Sequence, residues 1–475
     1  MKKSVFIAML LCALSAVAQD EKQLVLNQLD KKYENYCQIA RTIWSHPELG
    51  YLESKSTKVL QDELRKEGFS VQAGVAEMPT AFVASYGSGQ PVIGILAEFD
   101  ALPGLSQDSV PYPKPIVVGG NGHGCGHNLF GTGSLAAAVA LKDWFIKTGK
   151  KGTVRLYGTP AEEGGGGKVY FVRAGLFNDV DAVIHWHPGD SNNADASTCL
   201  AVSQANFRFY GQTAHAAAAP ERGRSALDGV EAMNYMVNMM REHVDEKARI
   251  HYVITKGGLA ANVVPDYAEV EYMFRHPDVR GVQEIFDRIV KAAEGAALGT
   301  GTTMKYEIMN GLYNILPNET LAKVMHANLM RVGGVKYNAQ ELAFANKMRE
   351  SFTTKVPPIT NASDVQPYRR GYFPASSDVG DVSWIVPTVG MNPATWIPGT
   401  AAHTWQATAA DGMSIGFKGM LVAAKSMAMT AIDLVNDPSI ISRAKSELEA
   451  VRGADFKYKP LIGDRKPPLD YRKNL

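Results

Sequence analysis

Val92-Ile93-Gly94-Ile95-Leu96-Ala97-Glu98-Phe99-Asp100 decides the fold class. Its first six residues are apolar without alternation, so a strand here must be covered on both faces, as in a parallel sheet flanked by helices. Carboxylates follow at its carboxyl end, where open α/β sheets bind their ligands. Working outward, Tyr33 to Trp44 and Ser54 to Glu67 carry helical spacing, the second ending at Gly68. Ala81 to Tyr86, Thr153 to Gly158 and Ala182 to Trp186 read as further strands, and Ser134 to Leu141 is a strong helix former. This alternation predicts an α/β domain with a mixed, mostly parallel sheet.

Residues 203–312 change rhythm. Gln204 to Tyr210, Ile250 to Thr255, Val264 to Phe274 and Thr302 to Met309 read as strands. Ser225 to Val244 and Val282 to Ala297 read as helices, the first with Leu227, Val230, Met233, Val237, Met240 and Val244 at helical spacing. The order β-α-β-β-α-β is the ferredoxin-like unit, expected as an α+β insertion. The Met-rich stripe is expected to serve packing, in a core or an interface. The expected organisation is residues 1–18 as a signal peptide, 19–202 as the first part of the catalytic domain, 203–312 as the insertion and 313–475 as the second part.

The signal reading rests on Lys2 and Lys3, the apolar run from Val5 to Ala18 and the small-x-small ending Ala16-Val17-Ala18. The run is shorter than the ~20 residues that span a bilayer, so a periplasmic or secreted protein is expected, with no membrane partner after cleavage. The 475 residues carry 49 Lys+Arg against 48 Asp+Glu. No basic excess is present to hold a nucleic-acid backbone. Hydrophobic residues at 45% suffice for a core. After cleavage Cys37, Cys125 and Cys199 remain, and an odd number leaves at least one thiol free.

That thiol question points to His123-Gly124-Cys125-Gly126-His127, where Cys125 and His127 can bite one metal, zinc among others. Glu162-Glu163 follow the strand Thr153–Gly158; one carboxylate can ligate a metal while its neighbour acts as general base. The glycines before Lys168 lack a phosphate-loop ending, since Val169 follows. In His185-Trp186-His187-Pro188 either histidine could reach a metal, and Asp100 could orient a ligand from behind. His403 lies far downstream in Gly399-Thr400-Ala401-Ala402-His403-Thr404. Four loops that each offer ligand-type residues argue for a metal site.

The set Ala97-Glu98-Phe99-Asp100-Ala101-Leu102-Pro103, Gly122–Asn128, Pro160-Ala161-Glu162-Glu163-Gly164, Trp186-His187-Pro188 and Ser377–Trp384 resembles the bacterial zinc-peptidase-like amidohydrolases. These include hippurate hydrolases, auxin-conjugate hydrolases and aminoacylases, and within them the set is similar to the p-aminobenzoyl-glutamate hydrolase group. Asn128 stands where hippurate hydrolases carry Asp. The resemblance implies a catalytic α/β domain interrupted by a lid or dimerisation domain, with two divalent metal ions per subunit, zinc or manganese. It implies Cys125, His127, Glu163, His187 and His403 as ligands, Glu162 as general base and Asp100 as the catalytic aspartate of the first motif. It also implies that His215 reaches a partner subunit's site and that Asn262 and Arg275 help hold substrate. The expected reaction is amide hydrolysis of N-acyl or aminobenzoyl amino acids by a homodimer, with a homologous partner subunit also conceivable. Alternatives are a dipeptidase or N-acyl-amino-acid deacylase on the same site, or a metal-dependent binding module without catalysis. The module would have no need of a base beside the ligand Glu163.

Overall fold

A computed structural model of the chain describes residues 21–473; the signal segment lies outside the described residues. In chain order the strands are β1 (Ser70–Ala73), β2 (Phe82–Ser88), β3 (Val92–Ala97), β4 (Gly152–Gly158), β5 (Ala182–Ile184), β6 (Ala196–Cys199), β7 (Ala201–Tyr210), β8 (Arg249–Lys256), β9 (Tyr267–His276), β10 (Thr303–Leu312), β11 (Arg370–Phe373) and β12 (Thr388–Val389).

The main sheet has the order β1-β2-β4-β3-β5-β12. β4, β3, β5 and β12 run parallel, while β2 pairs antiparallel with β4 and β1 with β2. β3 is central and buried at every position, as its unbroken apolar run requires. Ile93, Ile95 and Leu96 are fully buried, each contributing about 1.5–3 kcal/mol relative to exposure. That anchorage fixes where Glu98 and Asp100 emerge.

The helix expected over Ser134–Leu141 is longer, His127–Thr148, and begins on a candidate ligand. It packs against Ser414–Asn436. Both are apolar and long enough to cross a membrane, yet both are largely buried inside the protein, as core helices are. A parallel pair, β6 and β11, forms a separate small sheet absent from the sequence reading.

β7 to β10 form an antiparallel sheet of order β10-β7-β9-β8, the ferredoxin-like arrangement. The helices Ala226–Met240 and Val279–Thr300 pack on it. Val230, Met233 and Val237 are fully buried among Phe207, Phe209 and Tyr272. The Met-rich stripe is therefore core of its own unit and needs no second chain to cover it. What stays exposed is different: Tyr235 and Met239 on the helix, and Tyr252, Val253 and Ile254 on the edge strand β8.

Candidate metal centre

β4, β3 and β5 are neighbours, so their carboxyl ends bring Glu162-Glu163, Glu98 and Asp100, and His185 to Pro188 side by side. The loop that carries Cys125 closes over them. Gly126, at φ 72°, leaves the space that Pro188 occupies; a Cβ there would lie 2.7 Å from the proline ring. His403 arrives by a backbone bond, its N–H donating to the Gly124 carbonyl at 2.8 Å.

Two groups of donor atoms result, each within 4.8 Å: Cys125, His127 and His187, and Cys125, Glu163 and His403. Cys125 Sγ lies 3.4 Å from His187 Nε2, and Glu163 Oε1 lies 3.0 Å from His403 Nε2. Donors sharing one ion at about 2.0–2.3 Å stand roughly 3–3.6 Å apart, so these separations fit ligand edges. The ring orientations agree. His187 Nδ1 donates to the Pro188 carbonyl at 2.8 Å, and His127 Nδ1 lies 2.8 Å from Asp100 Oδ1. Each bond leaves Nε2 bare toward the centre. Burial and the neighbouring His127 push His187 down to about 4, so it is neutral, the ligating form. His185 joins neither group; its ring covers Gly390. The two histidines are therefore not equivalent: only His187 comes within reach of Cys125.

Cys37, Cys125 and Cys199 are all free. Burial pushes the Cys125 thiol well up, with His127 opposing, so a cation is needed to hold it as thiolate. The same need shows around it. Glu98 Oε2 and His127 Nε2 approach to 3.1 Å, yet both atoms are buried without a hydrogen-bond partner. Glu98, His127 and Glu162 form a third close group. Burial, then Glu98, Glu163 and Asp378, drive the Glu162 carboxyl well above its ordinary value. Carboxylates crowded in this way repel unless cations offset them. The donor set and its unmatched atoms thus fit divalent ions.

Glu162 and Glu163 do not continue the extended backbone of β4. They occupy a short turn, Glu162–Gly165, entered through Ala161 at φ 57°, in which Glu163 (ψ 69°) and Gly164 (φ 91°) leave helical geometry. Asp100 serves two partners: Oδ1 meets His127, and Oδ2 accepts the Glu163 N–H at 2.9 Å. Burial raises the Asp100 carboxyl, but His127 and the Glu163 amide more than offset this and leave it lowered. Asn128 donates to the carbonyls of Ala40 (3.3 Å) and Asp411 (3.1 Å), a task that an Asp carboxylate cannot perform.

Sequence reasoning passed over Lys168. It is fully buried, with Nζ 2.5 Å from Glu98 Oε1 and 2.7 Å from Asp378 Oδ1. Lying five residues beyond Glu163, just after a glycine run, it suggested only a phosphate loop, which the following Val169 excludes. The neighbouring Ser377-Asp378 motif was the available signal.

The insertion residues divide. Arg275 ends β9 on the main-sheet side, with Nη1 3.4 Å from Ser376 Oγ. His215 and Asn262 are exposed and adjacent, with the Ala216 N–H donating to the Asn262 carbonyl at 3.0 Å. They lie beyond the other end of β9, past Tyr267. The strand from Tyr267 to Arg275 alone spans roughly 27 Å at 3.4 Å per residue. One chain therefore does not bring His215 or Asn262 to its own cluster.

Residues 94–404 match the model of peptidase family M20/M25/M40. The chain is 41% identical over 460 residues to one subunit of the p-aminobenzoyl-glutamate hydrolase of Escherichia coli (strain K12), covering 91% of this chain and 96% of that one. It is 30% identical over 444 residues to the Xaa-Arg dipeptidase of Mus musculus, covering 90% and 92%. The crystal structure of the Bacillus subtilis YXEP protein, described as a dinuclear metal-binding peptidase of the M20 family, superimposes with a TM-score of 0.60 at 19% identity, covering 86% and 99%. The chain belongs to peptidase family M20/M25/M40 and is a metal-dependent amidohydrolase.

Proposed function

We propose that the protein hydrolyses the amide bond of an N-acyl or aminobenzoyl amino acid, of the p-aminobenzoyl-glutamate type, at a pair of divalent ions. The observation that carries this reading is the sharing of Cys125 between two donor groups, with Glu162 close to His127 beside them. A metal pair supplies Lewis acidity and a water acidic enough to attack near neutral pH. Cys125, His127 and His187 would hold one ion, and Cys125, Glu163 and His403 the other. The thiolate and imidazole donors favour zinc over manganese. Glu162 takes a proton from water as its oxygen bonds the amide carbon, then returns it to nitrogen as the C–N bond breaks. Arg275 would pair with a substrate carboxylate through its planar fork. The substrate class is supported by 41% identity to the Escherichia coli protein. Rates on p-aminobenzoyl-glutamate, hippurate and an Xaa-Arg dipeptide, with zinc, manganese or cobalt, test it. Preference for the dipeptide would favour the reading supported by the mouse relative.

His215 acts in trans in this proposal, in a homodimer. The support is the strand length between Arg275 and the His215 loop, together with the exposed apolar edge of β8. Mixed dimers of His215→Ala and Glu162→Gln chains would contain one intact site, so activity should return on mixing. No recovery after proven subunit exchange refutes the trans assignment. The Escherichia coli relative is by name one subunit of its enzyme, which keeps a different second subunit in view. Export is part of the proposal: intact mass of native protein should begin at Gln19, and a full-length form would contradict it.

A further inference from the structure

In the turn that carries Glu162 and Glu163 the chain runs directly into Gly164-Gly165-Gly166-Gly167, with Gly164 at φ 91° and Gly166 at φ 63°. Such backbone has many alternatives to lose on ordering, yet a working site must hold its groups to about 0.5 Å. The turn supplies one bond of its own, Gly165 N–H to the Ala161 carbonyl at 3.0 Å. The rest comes from outside. Glu53 Oε1 accepts the Ala161 N–H at 2.8 Å, Asp100 Oδ2 accepts the Glu163 N–H, and Tyr51 donates to the Gly165 carbonyl at 2.8 Å.

The Glu163 carbonyl is held from the far end of the chain. It accepts the Tyr471 hydroxyl at 2.9 Å and Arg472 Nη2 at 2.5 Å. The Tyr471 ring meets Tyr51 edge-on at 5.7 Å, and the Arg472 guanidinium lies 5.2 Å from the Tyr471 ring centroid. The segment leading there, residues 453–473, has no helix or strand, so its course depends on tethers. Tyr458 donates to Asp381 Oδ1 at 2.6 Å, and Tyr313 donates to the Lys459 carbonyl at 2.8 Å. Arg465 donates to the Ile308 carbonyl on β10 at 2.8 Å, while Arg173 donates to the Arg465 carbonyl at 2.6 Å. The strap is thus fastened to the inserted sheet, to the helix Gly167–Arg173 and lastly to the turn itself.

We propose that this C-terminal strap, through Tyr471 and Arg472, holds the Glu162–Glu163 turn in its working geometry. Both are positioning residues: they act on the Glu163 carbonyl, not on substrate. The inference rests on Glu162 as base and Glu163 as ligand for its consequence in turnover, but not for its consequence in backbone order.

The test uses the full-length, metal-loaded protein with Tyr471→Phe, Arg472→Lys and Arg472→Ala. Amide hydrogen exchange over 161–167 should rise in Tyr471→Phe and Arg472→Ala while β3 keeps its protection, which shows that the fold is intact. In Arg472→Ala kcat should fall about 10- to 100-fold, the scale of a misplaced reacting group, with KM within about threefold. Guanidinium ion should restore part of that loss to Arg472→Ala and none to Tyr471→Phe, and Arg472→Lys should retain most of the turnover. Unchanged exchange over 161–167 overturns the strap, whatever the activity. Raised exchange with unchanged kcat overturns its role in positioning. If Glu162→Gln proves fully active, the base assignment fails, and the exchange result still decides the strap.

Discussion

Asp100→Asn is the substitution that most directly separates holding a metal from acting on substrate. The carboxylate accepts from two buried donors, His127 Nδ1 at 2.8 Å and the Glu163 N–H at 2.9 Å. Asparagine keeps the shape but has one acceptor oxygen and one NH2. The Glu163 amide is backbone and cannot rotate away, so the oxygen must face it. The NH2 then meets His127 Nδ1, which must become an acceptor and move its proton to Nε2. Nε2 is the buried, unpartnered nitrogen beside Glu98 and the one left free to ligate, so the imidazole would be in the tautomer that cannot do so. Reversing the tautomer leaves two N–H groups facing each other, at a cost of about 1–3 kcal/mol for a buried unpaired donor. Metal affinity should fall roughly 10- to 100-fold, as with other outer-shell partners. Titration against a competing chelator at pH 7 measures this, with thermal unfolding as a control for folding. Wild-type affinity combined with lost turnover would refute the reasoning and place Asp100 in the chemistry alone.

Glu162→Gln should keep both metals and lose turnover by about 10²–10⁴-fold, whereas Glu163→Gln should release one metal; elemental analysis with steady-state rates checks both, and the reverse pattern would exchange the roles. Cys125→Ala removes the donor common to both groups, so both metals and activity should fall together; full metal content would refute a shared ligand. Asp381 is buried, which pushes its carboxyl up to about 7 against the donation of Tyr458. Between about pH 4 and 7 the unfolded chain ionises this group while the folded chain keeps its proton, so stability is lost as pH rises and levels off above 7. Asp381→Asn, which can accept from the Tyr313 N–H and donate to Tyr458, should abolish that loss, on the order of 4 kcal/mol across the window. Denaturant unfolding of both proteins from pH 4 to 8 reads it, and parallel curves would refute it.

What was legible in the sequence follows from where the information lies. β3 announced itself because a strand covered on both faces has no polar position to hide. The cluster was legible because parallel strands end on one side, so residues just after each strand are bound to meet. The stripe from Leu227 to Val244 shows the limit. Spacing identified a buried face, but periodicity does not say whether a sheet or another chain buries it, and here the unit's own sheet does. β12, only two residues long, gives no period to read. Lys168 shows another limit: with the phosphate-loop reading excluded by Val169, a lysine after a glycine run has no role in the sequence until Glu98 and Asp378, 70 and 210 positions away, are known to face it.

The deepest omission has a single cause. Cys125, His127, Glu162 and His187 are picked out by the chemistry that their side chains offer, which residue type betrays. The Glu162–Glu163 turn depends instead on which backbone groups are satisfied and by whom. Ala161 at φ 57° is a conformation that its residue type disfavours, so the surrounding bonds must impose it. Those bonds come from Glu53, Asp100, Tyr51, Tyr471 and Arg472, spread from residue 51 to residue 472. None of these contacts leaves a pattern within a window of sequence, because a carbonyl accepts equally from any donor that reaches it. The candidate ligands can be read locally, whereas the bonds around their turn come from distant donors, which is why substitutions at Tyr471 and Arg472 should disturb a site that neither residue helps to recognise in the sequence.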